Sequence, residues 1–193
     1  MSSKNEMVER DYRAEWTRNP MRKPFIEKVV INIAVGQAGE KLQNAKSVLE
    51  TLTNRKAVLL RAKKSIKEWD IRKKQTIAVK VTLRGKDAED MLKRALVPYD
   101  NRILKTSFDN YGNFSFGIDE HIKIPGMKYD PSIGIFGMDV CVRLVRPGMR
   151  VKTRKKNKSA IPKSHYVSKK ESMYYMKTIF NIEIVDEMEE RYY

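Results

Sequence analysis

The sequence predicts a two-layer α+β domain, with a mainly antiparallel sheet, helices packed on one face and the other face left open. Three observations predict it. Residues 25–35 and 75–84 alternate apolar and polar side chains with the period of a half-buried strand. Each is followed by a segment whose apolar residues recur at helical spacing, which supplies a partner for the strands' apolar face. No internal repeat or low-complexity run interrupts this mixture, so a solenoid or a disordered chain is not indicated.

The elements follow in order. Residues 5–17 carry Met7, Tyr12 and Trp16 at the spacing of a short amphipathic helix, which Asn19-Pro20 ends. In the first strand Val29, Ile31, Ile33 and Val35 share one face, while Lys28, Val30, Asn32 and Ala34 share the other. Gly36 and Gly39 permit a turn into a helix over about 40–53, where Leu42, Ala45, Leu49 and Leu52 form the stripe that covers the apolar face. Residues 57–60 read as a short second strand. The third points Ile77, Val79, Val81 and Leu83 one way and Thr76, Lys80, Thr82 and Arg84 the other. After Gly85, residues 87–97 predict a helix with Asp87 as N-cap and Ala88, Met91, Leu92, Ala95 and Leu96 on its buried side.

The turn Asp109-Asn-Tyr-Gly112 leads to a strand over 114–124, stopped by Pro125-Gly126. Residues 138–146 give another strand, in which Cys141 reads as a small core hydrophobe. The segment 146–170 is dense in Lys and Arg, lacks acidic residues and contains Pro147, Gly148 and Pro162. It reads as an extended basic loop, ordered only against a polyanion. Ser168 and Glu171 have the spacing of a capping box for a helix to about 177, and 179–185 form a last strand. The expected organisation is an N-terminal extension (1–18), a single domain (19–185) with basic loops at 61–74 and 146–170, and an acidic tail (186–193).

Charge narrows the function. The chain has 193 residues, with 40 Lys and Arg against 24 Asp and Glu, a formal charge of +16. Such a surface attracts nucleic acid or anionic membrane. No apolar stretch of about 18 residues is present and residues 1–10 lack the apolar run of a signal peptide, so the expectation is a cytoplasmic protein with a nucleic-acid partner and no membrane partner. One cysteine cannot build a disulfide framework or a Cys-rich zinc site. Of the two histidines, His121 reads as a strand-surface residue and His165 as a basic-loop residue that stacks on a base or is solvated.

Gly36-Gln-Ala-Gly39 lacks the spacing of a dinucleotide fingerprint and the Lys-Ser/Thr of a P-loop. The acidic pairs, Asp119 with Glu120 and those between 187 and 190, do not form a two-metal arrangement. The reading is therefore a binding protein with no catalytic residue, metal or cofactor. Two alternatives stay open: an RNA-processing or RNA-modifying enzyme whose carboxylates meet only in the fold, and a generic nucleic-acid-compacting protein.

Three basic surfaces are candidates. The loop between the second and third strands carries Lys63, Lys64, Lys67, Arg72, Lys73 and Lys74 around Trp69. The indole either packs back into its own domain or stacks on a base or sugar, and the flanking cations, which would anchor the loop on RNA, favour stacking. On the polar strand face, Lys28, Asn32, Lys80, Thr82 and Arg84 combine cations for phosphates with groups able to bond riboses and base edges, although an ordinary solvated face has the same composition. The third surface is Arg150, Lys152, Arg154, Lys155, Lys156 and Lys158, which suit rRNA phosphates or form a solvated charge run.

Six segments carry a resemblance: Asn19-Pro-Met-Arg22, Glu27-Lys-Val-Val-Ile-Asn-Ile-Ala-Val-Gly36, Ala62-Lys-Lys-Ser-Ile66, Val79-Lys-Val-Thr-Leu-Arg-Gly85, Gly112-Asn-Phe-Ser-Phe-Gly-Ile-Asp-Glu-His121 and Lys128-Tyr-Asp-Pro-Ser-Ile-Gly-Ile-Phe-Gly-Met-Asp139. In this order and spacing they resemble large-subunit ribosomal protein family five, in its archaeal and eukaryotic form. The resemblance implies a sheet whose open face docks on 5S rRNA in the central protuberance of the large subunit. The family's RNA-contacting Asn and Thr map to Asn32 and Thr82, and its loop aromatic maps to Trp69. Where many members have Gln after Thr-Gly, this chain has Thr53-Asn-Arg55, so Arg55 would replace an amide's hydrogen bond with a phosphate contact. The resemblance further implies that the 63–74 loop reaches peptidyl-site tRNA, that another surface touches a small-subunit head protein, and that large-subunit rRNA and neighbouring central-protuberance proteins are partners.

Overall fold

The computed structural model describes residues 12–186, so the first half of the predicted N-terminal helix and nearly all of the acidic tail lie outside the described residues. The described chain is mixed α+β and groups into two compact units.

The unit formed by 28–100 and 115–142 holds most of a five-stranded sheet. Its strands are β1 (Phe25–Ala34), β2 (Val58–Arg61), β3 (Thr76–Leu83), β5 (Phe114–Ile118) and β6 (Met138–Val145), in the order β2-β3-β1-β6-β5. Both β1 and β2 pair antiparallel with β3. Alternation decides what is buried: Val29, Ile31 and Ile33 on β1 and Val79, Val81 and Leu83 on β3 are in the core. Each such side chain contributes about 1.5–3 kcal/mol when removed from water. Helix α2 (Glu40–Thr53) packs against β3 and buries Leu42, Ala45, Val48, Leu49 and Leu52. It ends where Asn54 adopts the left-handed conformation and its N–H bonds Glu50 O at 2.8 Å.

Helix α3 (Lys86–Leu96) buries the five predicted residues, but Asp87 is not its cap. Gly85, at φ +61°, takes the N-cap position, and Asp87 lies in the first turn, where a carboxylate opposes the helix dipole's positive end.

Two further expectations are corrected here. Cys141 is exposed while Val140 and Val142 are buried, because strand parity sends 139, 141 and 143 outward. Partial desolvation and then the Asp139 carboxylate raise its thiol pKa, so it stays protonated. His121 is not on a strand surface: β5 ends at Ile118, a 3₁₀ turn begins at His121, and the residue is only 2% exposed. Its Nδ1 accepts the Phe136 N–H at 3.2 Å, and its backbone N–H donates to Phe136 O at 3.0 Å. Burial, partly opposed by the Phe136 bond and by Glu120, holds the imidazole below its ordinary pKa.

Of the described residues, the other unit comprises 12–27, 101–114 and 143–186. Its helix α1 covers residues 12–18, followed by a 3₁₀ turn that Asn19 caps. Strands β4 (Arg102–Leu104) and β7 (Glu183–Val185) pair in parallel. Helix α5 (Lys169–Phe180) is capped as predicted, with Ser168 Oγ accepting the Glu171 N–H at 3.2 Å. It runs three residues past the expected end, until Asn181 turns left-handed, and the last strand is correspondingly shorter.

The Glu171 side chain does not turn back to the cap. Its carboxylate is buried, accepting from Trp16 Nε1 at 3.2 Å and from an Arg146 guanidinium N–H at 2.6 Å. The segment 146–170 is consequently not open throughout. Arg146, Met149 and Val167 are buried, and Arg150–Thr153 forms the short helix α4. No acid lies within that segment, but Glu171 just beyond it supplies the counter-charge.

Candidate nucleic-acid interface

Strand register assembles the first surface. Lys80 lies opposite Asn32 on β1 and opposite Val58 on β2, forming one row across three strands. Thr82 lies opposite Val30, and Ala78 opposite Ala34 and Leu60. Thr82 and Val58 are exposed, whereas Lys28, Asn32 and Lys80 are half-buried, so the face away from α2 is accessible. The face is less polar than the β1 and β3 residues singled out in the sequence, since Val30, Val58 and Leu60 stand among them. Methyl groups beside an amide, a hydroxyl and two ammonium groups suit riboses and base edges as well as phosphates. Arg84, just beyond β3, is exposed.

Arg55 is placed differently. It follows α2 and bonds Asp87 through Nε at 3.0 Å and a terminal N–H at 2.5 Å. Both side chains line a cleft with Thr53, Asn54, Asp90 and Arg94. An incoming phosphate would have to compete with Asp87 for this guanidinium.

The second surface is an ordered hairpin. The Ala62 N–H donates to Gln75 O at 2.8 Å, the Lys74 N–H to Ala62 O at 2.9 Å, and Ile66 and Ile71 exchange bonds of 2.8 and 3.0 Å. Ser65 Oγ accepts the Lys73 N–H and Gln75 Oε1 the Arg72 N–H, bracing the stem. A 3₁₀ turn (Lys67–Trp69) and left-handed Asp70 form the tip. Trp69 is 67% exposed, so it does not pack back into its own unit. Lys63, Lys64, Lys67, Arg72, Lys73 and Lys74 are all exposed, and no ion pair among the described residues engages them.

The third surface is on the other unit. Arg150, Lys152, Arg154, Lys155, Lys156 and Lys158 are all exposed apart from their few local bonds. Arg154 Nε donates to Asn157 O at 2.6 Å, and Lys152 Nζ to the Tyr166 hydroxyl at 2.7 Å. His165 Nε2 donates to Pro147 O at 2.8 Å, so its imidazole is held within its own segment. Among the described residues no group of His, Cys, Asp and Glu is arranged to hold a metal ion, and no helix is long and apolar enough to cross a membrane.

Sequence comparison connects the chain to one ribosomal family. Residues 19–72 match a family model described as ribosomal protein L5, and 76–175 match the model of the same ribosomal family's C-terminus. A protein named large ribosomal subunit protein uL5 from Sulfurisphaera tokodaii is 55% identical over 171 residues, 88% of this chain and 97% of the relative. The protein of the same name from Aeropyrum pernix is 49% identical over 89% of this chain and 90% of its own length. That from Methanococcus aeolicus is 46% identical over 92% of this chain and 99% of its own length.

Proposed function

The chain belongs to the ribosomal protein L5 family and is a structural, non-enzymatic component of the large subunit, and from that premise we propose that its open sheet face binds 5S rRNA and helps attach it in the central protuberance. The observation that carries this reading is the row of Asn32 and Lys80, with Thr82 on the same accessible face. Paired strands hold these groups in fixed register, so little ordering cost is incurred on docking. Lys28 and Arg84 extend the positive charge, and Arg55 adds a phosphate contact once Asp87 is displaced. The hairpin presents its exposed indole and cations to peptidyl-site tRNA, while Arg150 to Lys158 neutralise large-subunit rRNA phosphates. Neighbouring central-protuberance proteins and a small-subunit head protein complete the set of partners.

Equilibrium binding to 5S rRNA across a salt series, with tRNA and duplex DNA as competitors, tests the proposal. With about 6–10 phosphate contacts, affinity should fall roughly 10³- to 10⁵-fold between 50 and 200 mM salt. Preference for 5S rRNA should survive at physiological salt and weaken in Asn32→Ala and Thr82→Ala without loss of folding. Equal binding to all three nucleic acids, or unchanged affinity in both variants, would refute the sheet-face site.

A further inference from the structure

The basic segment does more than present cations: it walls a cleft of about 610 Å³ within its own unit. Met149, Lys152, Ile161, Lys163 and Tyr166 come from the segment, and Tyr111 comes from the turn before β5. The two tyrosine rings lie 5.5 Å apart at 58°, and Tyr111 is exposed. Lys152 Nζ stands 5.1 Å from the Tyr166 ring centroid, with one N–H given to the Tyr166 hydroxyl and two left for another acceptor. Among the described residues no acidic side chain lines the cleft, and Arg143, which does, is already paired with Glu27 at 2.9 Å.

We propose that this cleft receives one unstacked nucleotide of large-subunit rRNA, its base stacked on Tyr111 and its phosphate held by Lys152 and Lys163. The inference rests on the rRNA-binding reading above and deepens it, by giving the basic segment a shaped site. The size falls within the range of small-molecule sites. An exposed aromatic face takes any base, because every base has a π-face, and flanking cations anchor the backbone on either side of it. The apolar wall of Met149 and Ile161 favours a planar ring over a hydrated anion. Asn113 also lines the cleft; its Nδ2 donates to Asp109 Oδ2 at 2.8 Å, and its Oδ1 is a buried acceptor without a donor among the described residues, one that the amino group of a base would suit.

The test is fluorescence-anisotropy binding of a labelled ten-nucleotide oligoadenylate to the full chain in a Trp69→Ala background, which removes the exposed indole of the hairpin. Tyr111→Ala should weaken binding roughly 5- to 150-fold, the range that base–aromatic stacking supplies, while Tyr111→Phe should stay within about twofold. Duplex RNA with the same number of phosphates should bind both variants equally. The cleft reading is overturned if Tyr111→Ala binds the oligonucleotide as the parent does, if it loses duplex equally, if decaglutamate displaces the oligonucleotide as well as unlabelled oligoadenylate does, or if the parent binds no oligonucleotide. Binding of 5S rRNA measured alongside separates the two readings. If it persists while the cleft test fails, only the cleft falls. If the parent loses preference for 5S rRNA, the sheet-face reading falls instead.

Discussion

Replacing Glu171 with Gln should destabilise its unit far more than a surface ion-pair loss. The Glu171 and Arg146 side chains are 1% and 6% exposed and meet at 2.6 Å, so the pair is nearly free of solvent screening. Gln can still accept from Trp16 through Oε1, which confines the change to the lost charge beside Arg146. A buried charge left without its partner costs about 3–5 kcal/mol, whereas an exposed pair contributes about 0–1 kcal/mol. For a chain of this size that corresponds to a fall in Tm of roughly 6–20 °C. Urea unfolding followed by tryptophan emission in a Trp69→Phe background, where Trp16 is the only indole left, measures the loss at its source. The double variant Arg146→Met/Glu171→Leu removes both charges and should recover most of the stability. A loss below about 1 kcal/mol for Glu171→Gln, or a double variant as unstable as the single one, would refute the argument that this pair anchors the basic segment.

Gly112→Ala should cost about 2 kcal/mol or more in a thermal melt: φ is +74° and a Cβ would stand 2.8 Å from Val167 Cγ1, so backbone strain and overpacking add. His121 should make stability fall on acidification. Its folded pKa lies below the unfolded value, so the unfolded chain binds the proton first, and stability is lost as pH drops through about 6.5. His121→Asn should flatten the part of the pH 7 to pH 5 stability profile that comes from this imidazole, and an unaltered slope would count against it. Trp69→Ala should reduce tRNA affinity more than 5S rRNA affinity, measured by filter binding; the reverse order would reassign the hairpin.

Residues close in sequence explain which features are legible without the fold. The parity within β1 and within β3 sets Asn32, Lys80 and Thr82 on the sides opposite the buried residues of their own strands, and the pairing register then brings the three onto one face. The same rule, applied to Asp139, Cys141 and Arg143, turns Cys141 outward, against its reading as a core residue. The hairpin's charge and indole are equally visible, but the ladder between Ala62 and Gln75 that orders it depends on strand pairing. Asp87 resembles a cap by residue type, yet Gly85, with its positive φ, already bends the backbone into the helix two residues earlier. The burial of His121 depends on Phe136, a residue of a later loop, and so has no signature in the residues around it.

The chain by itself determined the strand and helix periods, the charge excess and the identity of the cationic segments, since these follow from local spacing and composition. Only the tertiary structure decided that Glu171 pairs with Arg146 and Trp16, that Arg55 is held by Asp87, and that Tyr111 and Tyr166 converge on one cleft. Trp16 and Glu171 are 155 residues apart in the chain, and Arg55 and Asp87 are 32 apart. No local propensity encodes such meetings. They arise when burial of the apolar faces brings distant segments together, and the charges carried along must then find partners or remain in water.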